Sequence, residues 1–409
     1  MSRDPNPGSQ ENRVSEDPER GVVLRPSMEL SAYLRGQEAS VENREEYWAL
    51  QAQRLQWDEG FQNVVDEVFD EGRVSWFVGG KLNGCRNALD VNVEQGKGDD
   101  PAMIFISKQG DTQEWTYKTL LELVKKQSAA LEASGLEKGD RVAVWAGCRP
   151  ETVALTLACS RLGLVFVPLS KKIPLLPAAD RVMDAEAKIL FFEAEEEGAS
   201  QEGERLEEIL EGVELVNFAS REGEGASAGQ GEAYDSWFAR GEVEGDGPAP
   251  VSVDAEHPLL FLYAHASSSI PRASVFATGG YLVGAATSYD QIFGIIAQET
   301  ERMGVVSTVD LCGASGLSYA LWGPLLHGHT LVVAEGHRDI SAERLFSTME
   351  AFWPLSLLTS PRMLSAWRRE LGDAELGHKL RFSLVVSCGD MLTPRLARFG
   401  ANTLAVSPE

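Results

Sequence analysis

Between Leu259 and Leu282 the chain reads LLFLYAHASSSIPRASVFATGGYL, a stretch whose residue types suit anion chemistry. Leu259 to Tyr263 is a short apolar run with the composition of a buried strand. Small residues follow from Ala264, with hydroxyls at Ser267, Ser268 and Ser269 and a cation at Arg272. Thr278-Gly279-Gly280-Tyr281 then opens a helix expected to run through Leu282 to Tyr289. Strand, small-residue loop and helix is the layout of a phosphate cradle. Backbone N–H groups and hydroxyls face the anion, and a cation neutralises it. His265 sits in the same loop, where a neutral imidazole could donate to an anion. The simpler reading of His265 is a surface loop position, and of the serines a polar turn.

Other chemistry is sparse. The six histidines include one close pair, His327 and His329, with no acid at ligand spacing, so no metal site is assigned. Five cysteines (Cys85, Cys148, Cys159, Cys312 and Cys388) are scattered without a CxxC pair. Most fall in apolar runs, which predicts buried thiols in a reducing compartment. No G-x-S-x-G or Cys/His nucleophile pattern occurs, and no catalytic residue is assigned.

The loop resembles the signature of AMP-forming acetyl-CoA synthetases of the adenylate-forming superfamily. That signature reads roughly Y-T-S-G-S-T-G-K-P-K-G, then V-L-H-T-T-G-G-Y-L. Tyr263, Ser267, Pro271 and Thr278 to Leu282 match it. Ala266 and Ser269 replace its two loop glycines, Ala273 a third, Ile270 one lysine and Arg272 another. Glycine allows close backbone approach and positive φ, which alanine and serine resist.

Further matches run in family order. Val74-Ser75-Trp76-Phe77-Val78-Gly79-Gly80-Lys81-Leu82-Asn83, then Asn87-Ala88-Leu89-Asp90, resembles the W-F-V-G-G-K-L-N and N-x-L-D of the family's N-terminal extension. These aromatics are expected to pack the extension onto the main domain. Thr308, Asp310 and Gly316 correspond to T-A-D-x-G-W-x-T-G-H-S-Y, which implies the acyl-pocket region. Gly313 stands there for tryptophan and Leu317 for histidine. Trp322 to Gly328 resembles Y-G-P-L-L-N-G. Gly389 and Asp390 fall at G-S-V-G-E-P, the turn that the resemblance implies touches adenine.

Where the family carries a basic run that holds the phosphates of CoA, this chain is acidic. From Glu193 to Gly247 there are seventeen acids against three arginines, a net charge of −14. Such a patch opposes a strongly anionic ligand. It is expected to be a solvated, partly disordered Glu/Gly/Ser insert; a site for a basic partner is the other reading. The chain ends at Glu409, before the family's Y-W-Q-T-E stretch and the mobile C-terminal domain with its catalytic lysine. Losing one electrostatic donor at such a site can cost about 3 kcal/mol.

The elements that must position these residues read as an α/β protein. Lys118 to Ser134 and Pro150 to about Leu162 are helices ended by Gly135 and Gly163. They alternate with strands at Met103–Ile106, Val142–Trp145 and Val165–Pro168, which predicts doubly wound, mostly parallel sheets. The 409 residues are 43% hydrophobic and carry a net charge of −25. That composition is globular, and the acidity argues against nucleic acid or an anionic membrane as partner. No apolar run reaches a membrane span, no signal peptide opens the chain, and the cytoplasm is expected.

The organisation expected is a disordered tail (1–26), a helical N-terminal extension (27–90) and a partial AMP-binding domain (91–409) with its acidic insert at 193–250. The pattern from Tyr33 to Asp66 reads as helical. The resemblance implies an acetyl-CoA synthetase-like protein that is inactive on its own and acts in binding or regulation. A complete acetyl-CoA synthetase or another subunit would be its partner. A residual acyl-adenylating ligase and a truncated product without a role are the alternatives. No cofactor is assigned; ATP or AMP binding is left open, with Mg2+ only where ATP binds.

Overall fold

The computed structural model describes residues 30–68, 70, 72–107, 109–194, 199–218, 231–241, 245–263, 271–299, 303–335, 341–349, 355–371 and 382–404. The expected disordered tail and residues 264–270, with Ser267, Ser268, Ser269 and His265, lie outside them.

Two large sheets dominate the described residues. One orders its strands Glu232–Ala233, Glu214–Asn217, Ala187–Phe192, Arg141–Ala146, Val165–Ser170, Pro258–Tyr263 and Ala273–Ala277. The other runs Leu384–Ser387, Leu355–Thr359, Gly304–Ser307, Thr330–Ala334, Pro101–Ile106 and Thr112–Thr116. Each is parallel except for its last strand, which is antiparallel. The doubly wound expectation holds.

Side chains alternate across a strand, so each sheet has two faces to cover. Met103, Phe105, Val142, Val144 and Val305 enter one core shared by both sheets. Ile104, Ile106 and Val306 face outward beneath the helices Ala342–Met349 and Pro361–Leu371. Ala143, Trp145 and Leu190 face outward beneath Leu175–Asp184. The helix Pro150–Leu162 belongs to the shared core and is buried at every position but Glu151. Such a place requires a helix whose polar groups are few and paired, and Thr156 and Arg161 here bond to Thr152 and Asp90. Pro150 starts it, and Gly163, at φ 69°, ends it in the left-handed conformation.

The cradle layout needs correction. Ala273–Ala277 is a strand, antiparallel to Pro258–Tyr263, with Tyr263 opposite Ala273 and Leu260 opposite Phe276. The loop therefore joins two strands of a hairpin, and the helix Thr278–Glu299 begins beyond the second of them. Its opening N–H groups are already used. Thr278 donates to the His257 carbonyl (2.9 Å) and Gly279 to the Ala255 carbonyl (2.8 Å). A Cβ on Gly279 would lie 2.8 Å from the Ala255 side chain. The glycine serves close packing here, not an anion.

The extension is helical only in part. Helices Leu30–Glu42 and Arg44–Ala52 form, but Asn63–Val68 is a strand paired with Arg73–Val78. β-Branched Val65 opposite Trp76 and Val68 opposite Arg73 override the helical pattern there. The W-F-V-G-G-K-L-N and N-x-L-D residues anchor this unit. Phe77 packs against Trp57 and Phe61 at 5.4 and 5.2 Å between ring centroids. A Cβ on Gly80 would fall 2.7 Å from the Trp57 ring. The Asn83 amide reaches the carbonyls of Ser160, Arg161 and Val251 at 2.8 to 3.0 Å. Asp90 receives the Arg161 guanidinium at 2.9 and 3.1 Å.

The acidic segment is not a solvated appendage where it is described. It supplies the helix Ala199–Ile209, strands that extend the first sheet, and the helix Tyr234–Ala239. Leu206, Leu210, Val216 and Trp237 are buried. Apolar residues at helix and strand spacing fold this segment in, while Glu204, Glu207, Glu208, Glu211 and Asp235 face outward and Glu193, Glu202, Glu214 and Glu232 are half-buried in ion pairs. Residues 195–198, 219–230 and 242–244 lie outside the described residues.

The Arg161 side chain is 3% exposed and Asp90 17%. Asp90→Ala strands a buried cation and is expected to cost about 3 kcal/mol of unfolding free energy in urea. Lys81→Ala, at an exposed pair with Glu59, is expected to cost under about 1 kcal/mol.

Candidate functional site

In open α/β sheets ligands sit beyond the carboxyl ends of the strands. Both sheets present that edge to a common crevice. Gly147 and Cys148 follow Arg141–Ala146, Ser170 ends Val165–Ser170, and Thr308 to Cys312 follow Gly304–Ser307. Between them lies a cavity of about 10 Å3, lined by Cys148, Thr152, Pro168, Asp310 and Cys312 among others. That is room for one water.

Asp310 closes this crevice. Its carboxylate accepts from the Ser170 hydroxyl (2.7 Å), the Lys172 ammonium (3.0 Å) and the Cys312 N–H (3.1 Å). Burial would raise its pKa, but these three donors hold it at about 2. The contact joins the two sheets, since Ser170 and Lys172 come from one and Asp310 from the other. Burial pushes the Cys148 thiol up to about 12 and raises Cys312 too, with the Asp310 charge adding to both. Neither is a thiolate near neutral pH, so neither is an activated nucleophile.

Three cations follow the carboxyl ends of Arg141–Ala146 and Val165–Ser170, and each meets a carboxylate of this chain. Lys172 meets Asp310. Lys171 meets Glu202 at 3.5 Å and lies 3.9 Å over the Trp145 ring. Arg149 meets Glu151 at 3.0 Å and Glu193 at 3.8 Å. Glu193 also accepts the Gly147 N–H at 2.9 Å. Glu193, at the start of the acidic segment, thus reaches the crevice through Gly147, while Glu202 holds Lys171 over Trp145 on the outer face of the first sheet.

The expected site residues are only partly gathered. Thr308 is buried and committed, its hydroxyl 2.8 Å from that of Thr359. Gly316 is a packing position, where a Cβ would lie 2.8 Å from the Asp310 carbonyl carbon. Gly389 turns at φ 89° after Leu384–Ser387, and Asp390 accepts the Met391 N–H. Both are exposed, as is Arg272 beyond the undescribed loop. Ser170, Lys172, Cys148 and Cys312 were not anticipated. Polar residues directly after parallel strands were the available signal, as in Ser170-Lys171-Lys172 after Val165-Phe166-Val167.

The histidine pair is structural. His327 Nδ1 lies 2.8 Å from the Gly323 carbonyl, and His329 Nδ1 2.9 Å from the Tyr289 hydroxyl. Burial lowers both pKa values, that of His329 to about 3, so the rings are neutral near pH 7.

Residues 89–407 match the family model for AMP-binding enzymes, and residues 33–88 that for the acetyl-coenzyme A synthetase N-terminus. The acetyl-coenzyme A synthetase of Deinococcus radiodurans is 32% identical, over 77% of this chain and 50% of its own length. That of Mycobacterium tuberculosis is 32% identical over 88% and 56%. Acetoacetyl-CoA synthetase from Streptomyces lividans shares the fold, with a TM-score of 0.71 at 20% identity, covering 89% of this chain and 56% of that one. The chain spans about half the length of the curated relatives it matches. Among the described residues no helix is long and apolar enough to cross a membrane.

The folded pKa of Asp310, about 2, lies below the unfolded value of about 3.9. Its stabilisation is therefore full above about pH 4 and fades as pH falls towards 2. Its side chain is 34% exposed, so screening reduces the effect. Asp310→Asn is expected to lose about 1–2 kcal/mol at pH 7 and to flatten the acid limb of stability, read by urea unfolding at several pH values.

Proposed function

This chain belongs to the AMP-binding enzyme family and carries an acetyl-coenzyme A synthetase N-terminus; from that premise we propose that it is a non-catalytic relative acting in binding or regulation. The observation that carries this reading is the self-neutralised crevice. Arg149, Lys171 and Lys172 each meet a carboxylate of the chain itself. Phosphoryl chemistry depends on cations placed to neutralise the transferring group. Here a triphosphate would have to displace Glu151 and Glu193 from Arg149 and Asp310 from Lys172 first. A substrate carboxylate would meet Asp310 in its ionised form, at an opening that holds about 10 Å3.

Substitutions in the loop point the same way. Ala266, Ser269 and Ala273 stand at its glycine positions and Ile270 at a lysine position. The proposed location is the cytoplasm. The proposed partner is a complete acetyl-CoA synthetase or another subunit, met through the surface of this family domain. ATP or AMP binding would be weak and would bring Mg2+ only with ATP.

The test is acetate-dependent exchange of labelled pyrophosphate into ATP. No exchange above background is expected. Exchange at an ordinary enzymic pace, about 1 s−1 or faster, would overturn the proposal in favour of an acyl-adenylating ligase. The electrostatic cause has its own readout. Glu151→Gln with Glu193→Gln frees Arg149 of both carboxylates, and calorimetry should show ATP binding about 5- to 10-fold tighter at low salt, fading as salt rises.

A further inference from the structure

A second cavity, of about 200 Å3, lies between the extension and the long helix Thr278–Glu299, away from the crevice. Two helices face one another across it. Leu30–Glu42 contributes Tyr33, Gly36, Gln37 and Ser40, and Thr278–Glu299 contributes Gly284, Thr287, Ser288 and Gln291. Both sets follow the spacing i, i+3, i+4, i+7, so each is a single helix face. Tyr47 and Trp48, from Arg44–Ala52, close the remaining side.

Two properties of this lining point to a ligand. No wall residue carries a charge, so the site does not select an ion. Aromatic faces stand beside hydroxyls and amides, and the Tyr47 hydroxyl already accepts from the Gln291 amide at 3.0 Å. The Ser288 hydroxyl, beside Thr287 on the same helix face, donates to the Gly284 carbonyl at 2.7 Å and keeps its acceptor lone pairs on this wall.

The glycines supply a separate argument. Glycine inside a helix costs stability relative to alanine. A Cβ added at Gly36 or at Gly284 would meet no atom within 4 Å, and neither has a positive φ. Neither packing nor backbone conformation asks for glycine at these places. Both glycines border the cavity, and larger residues at either would fill it.

We propose that this cavity is a binding site for an uncharged, polyhydroxylated ring of monosaccharide size. Aromatic rings cover the apolar C–H face of such a ring, while amides and hydroxyls meet its hydroxyl groups. Trp48 is half-buried and rests edge-on against Tyr47 and Trp76, which holds its ring in place. The site is independent of the crevice and of its catalytic state, and it would let the extension respond to a neutral metabolite.

The test uses the full chain and D-glucose as probe, with acetate as charged control and glycerol as acyclic control, read by saturation-transfer NMR. Glucose is expected to receive saturation with a millimolar Kd, and the two controls much less. Gly284→Leu should abolish the transfer while leaving the circular dichroism spectrum and cooperative melting intact. Gly36→Leu, on the opposite wall, should do the same and stands in should Gly284→Leu fail to fold. Tyr47→Phe should weaken binding several-fold. No transfer to glucose, equal transfer to glycerol, or transfer that survives both leucine variants would overturn the proposal.

Discussion

A full positive charge sits inside the core shared by the two sheets, and the architecture is arranged to satisfy it. Arg161 lies near the end of the buried helix Pro150–Leu162 with its side chain 3% exposed. Taking a guanidinium out of water costs several kcal/mol unless its donors are met. Asp90 takes two of its bonds, and the Pro248 carbonyl a third at 2.7 Å. The charge on the central helix thus ties together two other, separated parts of the chain: the extension, through Asp90, and the segment entering the first sheet's antiparallel edge, through Pro248. Asn83 repeats the arrangement with neutral groups, reaching carbonyls of the same helix end and of Val251. The extension is thus tied to the main body by buried polar contacts, each costly to break singly. The long helix against which it also packs is held in the same body.

A different electrostatic solution operates at the carboxyl edge of the sheets. There the cations are near solvent and would be available to an anion, but the chain supplies its own. Asp310 draws Lys172 and Ser170 across the gap between sheets. Two acids of the Glu-rich segment, Glu193 and Glu202, take Arg149 and Lys171. The strongly acidic stretch therefore has a structural role in addition to solubility. It is folded onto the first sheet by leucines and a tryptophan, and through Glu193 it delivers a carboxylate to Gly147 and Arg149 beside the crevice. That local neutralisation, more than the altered loop residues alone, underlies the non-catalytic reading.

Much of the fold was legible because local signals agreed with burial. Pro150 and Gly163 bounded a helix that packing also favours, and Thr116 capped the helix Tyr117–Ala133. Continuous apolar runs such as Val142 to Trp145 could only be strands covered on both faces. Legibility failed where two periods compete. Ala273–Ala277 is too short and mixed to declare itself, and became a strand because Pro258–Tyr263 offered its free edge. Asn63–Val68 looked like the continuation of a helix until Arg73–Val78 paired with it. The candidate site was less legible still. Thr308 and Gly316 were implied by the family resemblance, yet both are consumed by packing. Ser170 and Lys172 carried only the weak signal of polar residues directly after a parallel strand.

The amino-acid sequence by itself determined the family, the alternation of strand and helix, the charge of the chain and the residues missing from the loop. Those properties follow from residue type and spacing along the chain, which need no third dimension. Only the tertiary structure decided that the anion loop caps a hairpin and not a helix, that the acids of one segment meet the cations of another, and that Asp310 shuts the crevice. The physical reason is that hydrogen bonds and ion pairs depend on distance through space. Lys172 and Asp310 are 3.0 Å apart across two sheets, a proximity that only the packing of those sheets creates.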